Sequence, residues 1–132
     1  YIAKKLVKKL IGMGKAILGA RILVMGMTFK ENVADIRNSK VVDIINELKD
    51  FGVEVDVVDP YADPEEVKKM YGFRLIEKPL GHYDAVVVAV AHDAYQGLDE
   101  KYFKSLTCDK AVLVDVKGMY RDKIHELKYW SL

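Results

Sequence analysis

Two cations seven residues apart, Lys30 and Arg37, stand in the polar stretch Gly26-Met27-Thr28-Phe29-Lys30-Glu31-Asn32-Val33-Ala34-Asp35-Ile36-Arg37-Asn38-Ser39. A lysine ammonium in a crevice suits a phosphate or a carboxylate. An arginine near a helix start is mildly disfavoured by the helix dipole, so Arg37 is better explained by an anion or by Asp35, which could orient it. Phe29 in the same stretch is either core filler or a surface for a ring. Lys117 follows a later apolar run as Lys30 follows an earlier one, and the convergence of the two is more specific than either alone. His92 could hydrogen-bond a ligand at neutral pH or serve the structure, and the sequence leaves both open. Cys108, in Thr107-Cys108-Asp109 and far from the lysine loop, reads as structural.

These residues need elements to position them. Ile22–Met25 followed by Gly26 reads as a buried parallel strand, and Asn38 and Ser39 read as N-caps of a helix from about Ser39 to Phe51. Val53–Val58 is a second strand, closed by Asp59-Pro60. Asp63-Pro64-Glu65-Glu66 starts a helix that ends near Tyr71-Gly72, with a cap residue, proline in the first turn and acids behind it. Phe73–Ile76 reads as a short third strand. Ala85–Ala91 reads as a central buried fourth, Asp99–Leu106 as a helix, and Ala111–Val116 as a fifth strand. Tyr129-Trp130 is expected to fold back onto the body. Residues 1–19 read as an amphipathic helix ending at Gly19. Gly12-Met13-Gly14-Lys15 is no phosphate loop, because no strand precedes it.

Strands alternating with helices give an α/β fold: a Rossmann-like open parallel sheet in order 3-2-1-4-5 with helices on both faces. In that order the Lys30 loop and the Ala91-His92 end flank the switch point, where open α/β sheets bind ligands. The expected division is residues 1–19 as a leading amphipathic helix and 20–132 as the binding domain. With 132 residues, 51% hydrophobic and 31% charged, the chain is in the soluble globular range, with a core of its own. A net charge of +1 argues against a general nucleic-acid or membrane binder. One cysteine excludes an internal disulfide and fits a reducing, cytoplasmic compartment. The first residue is Tyr1 and no secretory pattern follows it, so the chain is expected to be part of a longer protein.

Three other site classes fit less well. A dinucleotide domain needs a Gly-rich turn after the first strand, which Gly26-Met27-Thr28-Phe29-Lys30 lacks, although Asp59 mimics the ribose-binding acid. A phosphate-accepting receiver domain needs acids after that strand, and only its lysine is matched, by Lys117. Three scattered histidines make no metal site.

The loop from Gly26 to Ser39, with Ala89-Val90-Ala91-His92 and Val114-Asp115-Val116-Lys117-Gly118, closely resembles the UDP-glucose/GDP-mannose dehydrogenase family. The resemblance covers about residues 12–132 and points to the C-terminal, nucleotide-sugar-binding domain. It implies a parent enzyme that oxidises the C6 alcohol of a UDP-sugar to the uronate with NAD, in nucleotide-sugar metabolism for polysaccharide biosynthesis. It implies that Phe29, Lys30 and Lys117 contact substrate and that Arg37 reaches NAD bound mainly by an N-terminal half. Residues 1–19 resemble the end of the central helix that joins the halves and supports a homodimer. The family's catalytic cysteine has no counterpart here, and Cys108 does not match its motif, so no catalytic residue is expected in this chain. Val33 stands where some members have Thr, and Tyr129-Trp130-Ser131-Leu132 resembles members acting on UDP-N-acetylhexosamines or their uronates. The competing reading is a stand-alone Rossmann-like nucleotide-binding or regulatory module without catalysis.

Overall fold

Alternation along the strands decides the architecture. Ile22 and Val24 point to one face of the sheet while Leu23 and Met25 point to the other, and all four are buried. A strand apolar on both faces must be covered on both. The computed structural model describes all 132 residues and shows such a sheet. In chain order the elements are α1 (Ile2–Gly12), β1 (Arg21–Met25), α2 (Val41–Asp50), β2 (Glu54–Val58), α3 (Pro64–Tyr71), β3 (Tyr83–Val88), a 3-10 turn (Asp93–Tyr95), α4 (Glu100–Leu106), β4 (Thr107–Asp115) and β5 (Lys128–Ser131). Every strand pairing is parallel, in the order β2-β1-β3-β4-β5.

The larger core lies on one face, where Leu6 and Leu10 of α1, Ile45 and Leu48 of α2 and Val67 of α3 cover Ile22, Val24, Val87 and Val114. The opposite face packs Leu23, Val86 and Leu113 against Phe103 of α4 and the rings of Tyr83, Tyr95 and Tyr120.

The Rossmann-like α/β sheet is as expected, but its edges differ. Phe73–Ile76 does not form a strand. Phe73 and Leu75 are buried in the core, and the segment makes one backbone bond to β2, from Ile76 N–H to the Val57 carbonyl at 3.0 Å. Pro79, without a donor, follows soon after. The sheet therefore ends at β2 on that side and gains β5 on the other. Trp130 of β5 is buried, with Lys5 of α1 4.5 Å above its ring, so the end of the chain does fold back.

Two helix boundaries also move. The first helix stops at Gly12 rather than Gly19. Gly14 adopts φ +80°, and Lys15 N–H reaches the Leu10 carbonyl while Gly14 N–H reaches that of Ile11, the paired bonds of a left-handed helix end. The second helix starts at Val41, two residues later than Ser39. Asn38 is left-handed at φ 58°, and the Ser39 hydroxyl donates to the Met27 carbonyl at 2.7 Å, so neither caps the helix. The helix at Pro64 forms as read, with the Asp63 side chain accepting from Glu65 N–H at 3.0 Å.

At the amino ends of the strands, Lys15 donates to Asp84 at 2.7 Å and to the Cys108 sulfur at 3.1 Å, and Asp84 accepts Arg21 N–H at 3.0 Å. Burial pushes the Asp84 carboxyl up, but these donors outweigh it and hold the group below its ordinary range. A depressed carboxylate contributes stability above its unfolded pKa and loses it as pH falls through the folded value. Asp84→Asn is therefore expected to cost about 1–2 kcal/mol at neutral pH, with the gap to wild type closing below about pH 4 in urea denaturation. Gly26 sits at φ +91°, and a Cβ there would lie 2.7 Å from that of Val90. Gly26→Ala is expected to cost about 2 kcal/mol or more by the same measurement.

Candidate functional site

The carboxyl ends of β1, β3 and β4 open into a cavity of about 330 Å³, closed on one side by the start of α2. That is the low end of the roughly 300–1,000 Å³ of small-molecule sites. Phe29 and Lys30 reach it from the loop after β1, Lys40 and Val41 from the helix start, Ala89 and Val90 from beyond β3, and Lys117 from beyond β4. Three lysines and one acid, Glu31, stand around apolar walls made by Val41, Ile44, Val90 and Val116.

The structure thus brings Phe29, Lys30 and Lys117 together, from loops separated by more than eighty residues of chain. Phe29 is 55% exposed and is not core filler. Arg37 lies outside the cavity lining, with its side chain 74% exposed. It grips Asp35 through two bonds, Nε to Oδ1 at 3.1 Å and Nη2 to Oδ2 at 3.2 Å. Those bonds hold the Asp35 carboxyl below and the guanidinium above their ordinary ranges.

Lys40 is the residue that sequence reasoning missed. The dipole argument applied to Arg37 belongs to Lys40, because α2 starts at Val41 and Lys40 is its N-cap. A cation there is disfavoured unless an anion binds, and the free N–H groups of the first turn favour the same anion. The signal was present in Asn38-Ser39-Lys40 but depended on the helix boundary.

Two buried carboxylates hold the loops that carry Lys30 and Lys117. Asp115 closes β4 and accepts Met119 N–H at 2.9 Å, Tyr120 N–H at 2.7 Å and the Tyr129 hydroxyl at 2.5 Å. Burial and the Asp115 bond push the Tyr129 phenol up to about 12. Lys117 projects from the turn so fixed, and is exposed. Asp59 closes β2 and accepts five donors: Met27, Thr28, Tyr61 and Ala62 N–H and the ring of His92. With its side chain 0% exposed, Asp59 has no lone pair free for a ribose, which corrects its resemblance to a ribose-binding acid. His92 is equally buried, faces Asp59 and the Asn32 amide, and does not line the cavity. Cys108 lies at the opposite end of the strands.

A parallel α/β sheet with a cationic, partly apolar cavity at the carboxyl ends of its strands defines a Rossmann-like domain suited to an organic anion such as a nucleotide. The UDP binding domain of the UDP-glucose/GDP-mannose dehydrogenase family matches residues 23–122, and the chain belongs to that family. UDP-N-acetyl-D-glucosamine 6-dehydrogenase of Salmonella typhi is 38% identical over 118 residues, 89% of this chain and 28% of that protein. Protein CapL of Staphylococcus aureus is 42% identical over 120 residues, 90% of this chain and 28% of that protein. The crystal structure of an NDP-N-acetyl-D-galactosaminuronic acid dehydrogenase from Methanosarcina mazei Go1 has the same fold, with a TM-score of 0.80 at 23% identity, over 98% of this chain and 28% of that one. The chain spans less than a third of the length of the curated relatives it matches. No helix is long and apolar enough to cross a membrane.

If Lys40 is kept for an anion, removing it separates stability from binding. Lys40→Ala is expected to leave the urea midpoint within about 0.5 kcal/mol of wild type, or slightly above it. It is expected to weaken inorganic pyrophosphate binding by about three- to ten-fold in a calorimetric titration.

Proposed function

We propose that this chain is the substrate-nucleotide-binding domain of an NAD-dependent UDP-sugar 6-dehydrogenase. The observation that carries the reading is the meeting of Phe29, Lys30 and Lys117, with Lys40, at one cavity built on the family's loop. Lys30, Lys40 and Lys117 neutralise the diphosphate, aided by the α2 start, and Phe29 offers a ring face to the uridine or the sugar. The relatives named UDP-N-acetyl-D-glucosamine 6-dehydrogenase support an N-acetylhexosamine as the sugar.

The residues present fit one contact with NAD. The loop after β1 has no Gly-rich phosphate turn and Asp59 is saturated, so this domain does not hold the dinucleotide as a dinucleotide domain would. Arg37, exposed and held in shape by Asp35, is the group available to reach a cofactor bound by an N-terminal half. NAD supplies the hydride acceptor for oxidation at C6. This chain's part is to bind and orient the nucleotide, so that the sugar projects towards that other half. Residues 1–19, with α1 at their start, would continue the helix that joins the halves and supports a homodimer in the parent, in the cytoplasm.

Calorimetric titration with UDP tests the reading. Wild type should bind, and Lys30→Ala should weaken binding by about 1.5–3 kcal/mol, the worth of a hydrogen bond to a charged group. Binding unchanged by the substitution would contradict it. The chain alone, given NAD⁺ and a UDP-sugar, should show no reduction of NAD⁺ above background at 340 nm.

A further inference from the structure

We infer that Asp59 and His92 are positioning residues, a buried clip that holds the loop from Met27 to Asn32 in the conformation presenting Phe29 and Lys30. The inference rests on this loop being the nucleotide site. It concerns what shapes the loop rather than what the loop touches.

The two oxygens of Asp59 divide their work. Oδ1 takes Tyr61 N–H at 2.8 Å and Ala62 N–H at 3.2 Å, both in its own turn. Oδ2 takes donors from elsewhere: Met27 N–H at 2.7 Å, Thr28 N–H at 3.3 Å and His92 Nε2 at 3.0 Å. A local turn needs only the first oxygen. The second ties the loop after β1 and the His92 ring to the end of β2 through charge-assisted bonds.

His92 completes the clip. Its Nδ1 accepts Asn32 N–H at 3.0 Å, so the ring proton lies on Nε2 and is donated to Asp59. Asn32, left-handed at φ 59°, returns a bond, its Oδ1 accepting Asp93 N–H at 2.8 Å. The imidazole is flanked by the rings of Tyr61 at 4.7 Å and Tyr95 at 5.4 Å, which fix its plane. The loop is thus pinned at Met27–Thr28 and at Asn32. Between the pins, the Thr28 hydroxyl donates to the Lys30 carbonyl at 2.9 Å, while the side chains of Phe29 and Lys30 stay exposed. A loop held this way pays little ordering entropy when a ligand arrives.

Two substitutions in the 132-residue chain separate the bonds from the packing. His92→Phe keeps an aromatic ring and removes the hydrogen bonds to Asp59, Asn32 and the Thr28 hydroxyl. His92→Gln restores an acceptor and a donor. Hydrogen exchange of the Asn32 and Phe29 amides reads the loop, and calorimetry with UDP reads its consequence. In His92→Phe, protection at Asn32 should fall about ten-fold while β1 and β3 keep theirs, and UDP affinity should fall by a similar factor; His92→Gln should stay within about three-fold of wild type in both. Should His92→Phe unfold the sheet, the surface variant Asn32→Gly, which keeps the left-handed backbone, should still lower Phe29 protection by about two- to three-fold. Unchanged Asn32 and Phe29 protection in His92→Phe, or equal damage in His92→Gln, would overturn the clip. If wild type does not bind UDP, the nucleotide reading fails, and the exchange measurements alone still decide the clip.

Discussion

A fully buried carboxylate is an expensive group, and Asp59 is tolerated at the end of β2 because five donors reach it. Three of those donors belong to the loop after β1 and to His92, so the same bonds that satisfy the charge also shape the loop. Asp115 repeats the arrangement at the end of β4, where its bonds to Met119, Tyr120 and Tyr129 shape the turn that carries Lys117. The lysines at the cavity are exposed, while the backbones that carry Lys30 and Lys117 are held by these buried bonds. Hydrogen-bonded turns with exposed charged tips suit an anion that several cations must meet at once.

Electrostatics at the cavity work in one direction. Lys30, Lys40 and Lys117 converge with the positive end of α2, and Glu31 is the acid that offsets them. In the free protein these groups repel one another, and Lys40 opposes the dipole of its own helix. An anion relieves both. At about 330 Å³ the cavity lies at the low end of small-molecule sites. Cys108, Lys15 and Asp84 sit at the other end of the strands and serve the fold rather than this chemistry.

Much of this was legible in the sequence, for identifiable reasons. Continuous apolar runs marked β1, β3 and β4 because strands buried on both faces leave no room for alternation. Lys30 and Lys117 were found because each follows such a run. Phe73–Ile76 was misread because its alternation serves two apolar anchors rather than a ladder. β5 was read as a returning tail and not a strand, since four residues with one buried ring carry too little pattern. The start of the second helix failed where a side chain had another partner: Ser39 looked like a cap but bonds Met27, and that two-residue error hid Lys40. Asp59 mimics a ribose-binding acid in type and place, and its five donors, which make it a buried structural group, are not visible in the sequence.

The most direct test of the account is a map of the amide shifts that UDP produces in the ¹⁵N-labelled chain. The account predicts the largest changes at Phe29, Lys30, Lys40, Val41 and Lys117, small ones at Arg37, and none around Lys15, Asp84 and Cys108. Changes centred on the amino ends of the strands, or spread without reference to the cavity, would contradict it.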